Sequence, residues 1–291
     1  MRDYMIVTDV TTDLPLAIAN SLGLVVLPME FQLNGKSYRH YLDGREMNFH
    51  TFYEFLRNGQ MSTTSQINYI TFTDCFRRIL NQGMDVLYIG FSSGLSGTYQ
   101  TSLVAAKDVM EECGEGEIVC VDSLCASAGE GLFAYTAAQK KREGMDLHAL
   151  RDWLEGNKLH LCQWFTVEDL NHLKRGGRIS AVTAAFGTAL DIRPILHVDD
   201  EGHLIAMEKT RGRKKSLKVL LDHMIETCTE PDGQTVFIGH GDCEEDAAHL
   251  KELILKQLPT VKEVFLTQIG PIIGTHSGPG TIALFFFGTK R

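Results

Sequence analysis

The segment GFSSGLSGTYQ, residues 90–100, places four Ser or Thr hydroxyls and three glycines directly after the apolar run DVLYI. That run reads as a strand over 85–91, and the periodic apolar positions beyond it read as a helix over 98–112. A strand that empties into a small polar loop and then a helix is the building unit of an α/β sheet. The same alternation extends in both directions. Strands are expected at 4–8, 24–28 and 117–122, with helices at 14–22, 48–57, 68–82 and 130–142. In EFQLNGKSYR, Asn34-Gly35 between alternating residues predicts a hairpin, because a type I′ turn needs positive φ at both central positions.

Beyond residue 160 the texture changes. PILHVDDEGHLIAMEK reads as two antiparallel strands joined by a turn at Asp200 to Gly202. Strands at 234–240, 262–268 and 280–287 and helices at 214–228 and 244–257 follow. The expected fold is α/β in two domains. An N-terminal α/β/α domain with a mostly parallel sheet spans 1–158, and a C-terminal α/β domain with a mixed sheet spans 159–291.

Bulk properties narrow the function. The chain has 291 residues, is 44% hydrophobic and carries 28 basic against 37 acidic side chains, a net charge of −9. A core of ordinary size is available, and the overall field repels nucleic acid and anionic lipid. Seven cysteines without a C-x-x-C pair indicate neither a disulfide framework nor a zinc cage, so no metal is expected and a reducing cytoplasm fits. Met1 runs straight into strand-like sequence without a signal-peptide pattern, and the apolar run IALFFF is far short of a membrane span.

Three polar, glycine-bearing or hydroxyl-rich loops fall at strand ends or helix starts: STTSQ (62–66), SSGLSGT (92–98) and GTHSGPG (274–280). Ligands of open α/β sheets bind outside the carboxyl ends of the strands, where such loops lie. Two chemistries compete for the central one. Residues 90–94 match G-x-S-x-G, so Ser92 could be an elbow nucleophile with His240 or His276 as base. Against this, GLSG separates Ser92 from the helix, whose cap falls at Ser96 or Gly97, and no HGGG-type oxyanion segment precedes the motif. In the other reading, Gly94 and Gly97 let backbone N–H groups converge at a helix start while Ser93 and Ser96 add hydroxyl donors. With no Lys in the loop, such a cradle suits a small anion such as a carboxylate.

Taken together, MIVTDVTTDLP, STTSQ, SSGLSGTYQTS, VDS at 121–123, LKRGGRIS at 173–180, DIRPIL, DEGHL and IGPIIGTHSGPG resemble the DegV family over nearly the whole chain and in order. The resemblance implies a fatty-acid-binding subunit of bacterial fatty acid kinase, with a long-chain fatty acid in a tunnel between the two domains. It implies a carboxylate held by Thr64 and Ser96, with Thr63, Ser93 and Gly94 close by, His276 completing the site and Arg178 near it. No catalytic residue and no cofactor are implied. The partners implied are a long-chain fatty acid, a separate kinase catalytic subunit and, transiently, the membrane surface. The chain departs from the family pattern at Ser62 and Ile67, where Pro is usual, and at Val10, where Ser is usual. AVTAAFGTALDIRPIL (181–196) is rich in small apolar residues suited to lining a tunnel.

One segment opposes the acidic average. In KTRGRKKSLK (209–218), six of ten residues are basic. Arg211, Arg213, Lys214 and Lys215 at the start of a helix oppose its dipole, so local stability does not explain them. They are expected to face the kinase.

Overall fold

A computed structural model of the protein describes residues 2–179 and 191–291. The first seven strands are β1 (Tyr4–Asp9), β2 (Val25–Leu27), β3 (Met29–Leu33), β4 (Lys36–His40), β5 (Ser62–Thr64), β6 (Asp85–Gly90) and β7 (Ile118–Asp122). Four of them form an all-parallel sheet in the order β2-β1-β6-β7. Its strand order reverses between β1 and β6, which leaves a crevice at their carboxyl ends. The other three form a small antiparallel sheet, β4-β3-β5. Its hairpin turns at Asn34 (φ 53°) and Gly35 (φ 72°), the geometry expected of Asn-Gly.

Helices α1 (Leu16–Leu22), α2 (Phe49–Arg57), α3 (Tyr69–Asn81), α4 (Thr98–Cys113) and α5 (Ala128–Arg142) lie among these strands. Asn48 and Asn68 cap α2 and α3 by accepting the N–H groups of Thr51 and Thr71. After α6 (Leu147–Asn157) the chain enters β8 (Leu161–Thr166), α7 (Leu170–Arg175), β9 (Ile192–Val198) and β10 (Leu204–Arg211). Then come α8 (Arg213–Thr227), β11 (Thr235–His240), α9 (Glu244–Gln257), β12 (Glu263–Gln268), α10 (Pro271–Ser277) and β13 (Ile282–Phe287). The six later strands form one mixed sheet in the order β10-β9-β8-β13-β11-β12. Within it β11 and β12 run parallel and the remaining neighbours antiparallel.

Helix α5 joins the two large sheets. Leu132, Phe133, Ala134, Ala137 and Ala138 are buried, in one core with Ile89 and Val121 of the parallel sheet and Phe165, Phe237 and Phe285 of the mixed one. Close approach on both sides depends on glycine. A Cβ on Gly131 would lie 2.5 Å from the Thr12 carbonyl oxygen, and one on Gly129 would lie 2.8–2.9 Å from Gln163 and Phe285. A second core lies between the parallel sheet, the small sheet and α2 to α4, and a third under α8 and α9.

Several expectations are corrected. STTSQ is a strand over its first three residues, because Ser62–Thr64 pairs with Phe31–Leu33 of β3. GTHSGPG is helical through Ser277, with Pro271 at the first turn and Gly278 at the end. β8, a central strand, and α6 and α7 carry no counterpart in the sequence reading, and of the small sheet only the β3–β4 hairpin does. Residues 181–190 of the small apolar stretch lie outside the described residues, while Ile192–Leu196 belong to β9. No helix among the described residues is long and apolar enough to cross a membrane.

Candidate functional site: an apolar cavity with a polar wall

A cavity of about 290 Å³ opens at the carboxyl ends of β1 and β6 and runs over the inner face of the mixed sheet. Phe91 and Leu95 follow β6, Phe165 and Phe285 stand on β8 and β13, and Ile272 and Ile273 come from α10. Antiparallel pairing of Phe165 with Ala283, and of Gln163 with Phe285, sets these side chains on one sheet face. The result is a narrow, mostly apolar space with its polar groups gathered on particular walls.

The most polar wall joins three of the expected loops. Thr64 Oγ1 and His276 Nε2 are hydrogen-bonded at 2.9 Å across 212 residues of sequence. Burial, with Arg178 nearby as a smaller cause, pushes the His276 imidazole down to about 4, so it is neutral at ordinary pH. His276 is seated against Gly176, where a Cβ would fall 2.3 Å from its Nδ1. The first glycine of G-G-R-I therefore makes room for the histidine. Arg178 donates from Nε to the Leu95 carbonyl (3.3 Å) and from its guanidinium to the Gly176 carbonyl, so it ties the SSGLSG loop to this wall. Ser96 lines the cavity, its hydroxyl 2.9 Å from that of Thr98, and it accepts the Thr98 N–H at 3.2 Å. The helix cap itself is Gly97.

On the far side of the Thr64–His276 pair lies a second hollow, about 220 Å³, of different character. Ser62, Thr63, His172, Arg175 and Thr275 line it, and it shares Thr64, Arg178 and His276 with the cavity. Thr63 is exposed and reaches this outer basin alone, whereas Thr64 borders both spaces. Ser62 and Ile67, the departures from the family pattern, are integrated: Ser62 accepts a hydrogen bond from Thr275 Oγ1 at 2.9 Å, and Ile67 is buried.

The remaining loop residues build the scaffold. Ser92 is 0% exposed, donates its hydroxyl to the Gly202 carbonyl (2.9 Å) and accepts the Gly94 N–H (3.2 Å). A nucleophile needs access and a base. Here the hydroxyl is enclosed, and no hydrogen bond links it to a histidine among the described residues. His240, at the end of β11, is held below its usual range by burial and does not border the cavity. Gly94 is outside the cavity lining; a Cβ there would lie 2.7 Å from the Glu201 carbonyl oxygen, so it serves the docking of the DEGHL turn onto the SSG loop. Ser93 donates its N–H to Asp122 (3.2 Å), which also accepts the Leu124 N–H, so VDS braces the loop from behind.

Arg211, Lys214 and Lys215 are exposed at the end of β10 and the start of α8. Arg213 is different. It pairs with Asp246 of α9 at 2.9 Å and is mostly buried, so it is a structural tie within the basic segment.

Sequence reasoning missed Thr11, Ser127 and Gln163 in the cavity lining. Behind Thr11 lies a buried acidic group of Asp9, Asp13 and Glu130. Thr11 Oγ1 touches both Asp9 and Glu130, Ser127 donates to Asp13 at 2.6 Å, and Tyr88 donates to Asp9 at 3.1 Å. Burial raises all three carboxyls, Asp13 to about 8 and Glu130 well above the ordinary range. The signal was the position of TDVTTD at the end of the first strand, beside the sheet's switch point. Among the described residues, His50, Glu54 and Asp242 lie close enough to share a metal ion, but Arg57 already donates to both carboxylates.

The family model DegV, described as an uncharacterised protein of the DegV family, matches residues 3–289. A DegV domain-containing protein of Clostridium perfringens is 42% identical over 291 residues, covering 100% of this chain and 99% of that protein. A solved DegV family protein from Thermus thermophilus, described for fatty acid binding, superposes with a TM-score of 0.89 at 30% identity, covering 99% of this chain and 100% of the other. DegV from Bacillus subtilis, described as a fatty acid binding protein, gives 0.85 at 28% identity over 99% and 100% of the two chains. With the family model matching residues 3–289 and a relative 42% identical along the whole chain, the chain belongs to the DegV family.

Proposed function

We propose that the protein is a carrier that binds a long-chain fatty acid in the apolar cavity. The carboxylate rests on the wall of Thr64, Ser96, His276 and Arg178. The observation that carries this reading is the juxtaposition at Thr64–His276 of an apolar cavity and a polar basin. An amphiphile with a long apolar tail and a small anionic head fits both at once. The tail supplies affinity, at roughly 0.8 kcal/mol per buried CH₂, and the wall supplies direction. The solved relatives from Thermus thermophilus and Bacillus subtilis support the ligand class.

In the same proposal the chain works in the cytoplasm, takes its cargo in transient contact with a membrane surface, and uses no cofactor. It catalyses no step itself. It presents the carboxylate, through the outer basin, to a separate ATP-using kinase that forms the acyl phosphate. The exposed Arg211, Lys214 and Lys215 assist that encounter.

Mass spectrometry of an organic extract of the purified protein tests the ligand. A stoichiometric fatty acid is expected, and Thr64→Ala, Ser96→Ala and His276→Ala should each retain it about 10- to 100-fold less tightly, as for a lost hydrogen bond to a charged group. Wild-type retention by all three variants, or an extract free of fatty acid from a protein that also fails to bind added palmitate, overturns the proposal.

A further inference from the structure

Helix α10 passes from the basin to the cavity in three residues. Thr275 borders the basin, His276 borders both spaces, and Ser277 borders the cavity. Ser277 stands one helical turn after Ile273, so the two share the face that looks onto the apolar space. It is 6% exposed and its hydroxyl has no hydrogen-bond partner. The other buried cavity-lining hydroxyls are engaged: Thr11 with Asp9 and Glu130, Thr98 with Ser96, Ser127 with Asp13, and Thr281 with the Ser277 and Gly278 carbonyls. Serines inside helices commonly bond back to the carbonyl four residues earlier, and Ser277 does not.

An unpaired buried hydroxyl is destabilising, and its persistence calls for an explanation. Ser277 has its orphan group on a cavity wall, one residue from the histidine that contacts Thr64. We infer that Ser277 Oγ is a further positioning donor for the ligand, reaching the carboxylate from the chain side and favouring an anionic head over a neutral one. This rests on the fatty-acid reading above and adds a residue to it. The orphan status also makes a distinctive claim about the free protein: removing a hydroxyl that bonds nothing should leave the fold at least as stable as before.

The test compares wild type and Ser277→Ala, both stripped of lipid, in calorimetric titrations with palmitate and with hexadecanol, which has the same chain and a neutral end. Ser277→Ala should bind palmitate about tenfold more weakly, leave hexadecanol within about twofold, and keep or raise the thermal midpoint of the lipid-free protein. Ser277→Thr, which retains the hydroxyl, should recover most of the palmitate affinity. Palmitate affinity within twofold of wild type in Ser277→Ala overturns the assignment. An equal loss for both ligands with a lowered midpoint also overturns it, in favour of a packing role. Wild-type protein that binds neither ligand removes the fatty-acid reading itself, and this inference with it.

Discussion

The two hollows on either side of Thr64 and His276 are comparable in size and differ in chemistry. The inner one is walled mostly by apolar side chains such as Phe91, Leu95, Phe165, Ile272 and Phe285, whereas the outer one mixes Leu56 and Met61 with Ser62, Thr63, His172, Arg175 and Thr275. Apolar burial is non-directional, so the inner space by itself can hold a chain but cannot say which end goes where. The outer hollow carries the exposed Arg175, and an exposed charge by itself is worth little in binding. In the proposed carrier, orientation comes from the wall they share, Thr64, Arg178 and His276. Changes to the three regions should therefore separate into affinity, protonation and encounter.

The largest effect is expected inside. Ala283→Phe places a ring against Phe165 on the cavity floor. Displacing about four methylenes at roughly 0.8 kcal/mol each amounts to about 3 kcal/mol, or more than a hundredfold in palmitate affinity. An eight-carbon acid should be much less affected. Equal losses for both chain lengths in a titration series would show that the cavity does not house the tail.

A smaller effect sharpens the character of the wall. Because the folded pKa of His276 is depressed to about 4 from 6.5, its contribution to stability is present above pH 6.5 and is lost as pH falls toward 4. The stability difference between wild type and His276→Gln, measured by urea unfolding, should fall by about 2 kcal/mol between pH 7 and pH 5. A flat difference would mean that the imidazole is solvated as the basin residues are. Single-site differencing matters here. His40 and His197 are also depressed, to about 3 and about 4, while the raised Asp13 loses stability in the opposite direction, from pH 4 up to about 8.

The smallest effect concerns the outside. Arg211→Glu with Lys215→Glu should leave fatty-acid retention within about twofold and slow acyl-phosphate formation with the cognate kinase about threefold at low salt, with the difference vanishing as salt rises. Acidic residues at the start of α8 suit its dipole, so the fold is not at risk. Arg213 is left intact because its ion pair with Asp246 would confound the result. Unchanged kinase turnover at low salt would reduce the segment to a solvated surface.

Local patterns carried much of this molecule. Asn34-Gly35 made its hairpin, and the alternation of DVLYIG with a helix start placed Ser96 at the mouth of the switch point. Thr64, Ser96, Arg178 and His276, grouped by the family resemblance, line one cavity. What escaped was structure created by tertiary partners. Ser62–Thr64 has no intrinsic strand signal beyond β-branched Thr and becomes one because β3 offers an edge. LCQWFT follows helix α6 after only a short 3-10 turn, Lys158–His160, and is not a strand in the sequence reading, so Gln163 went unnoticed although it stands on the cavity floor. Glycines around His276 suggested a loop, whereas Pro271 and Gly278 bracket a short helix. The G-x-S-x-G match was misleading for a physical reason: Ser92 stands where the pattern places a nucleophile but its hydroxyl is spent on the Gly202 carbonyl.

The burial of α5 between both sheets bears on how cargo is exchanged. Parting the sheets to open the cavity would expose Leu132, Phe133 and their neighbours, at roughly 1.5–3 kcal/mol for each large side chain. Two or three such residues already approach the whole stability of a typical domain. In the proposed carrier, loading and unloading would then proceed without a swing of one half against the other, through displacement of side chains and short loops at the mouth, which move in nanoseconds to microseconds. Residence time would be governed by the apolar contacts of the tail as it withdraws, and a longer chain would leave more slowly from the same unmoved frame.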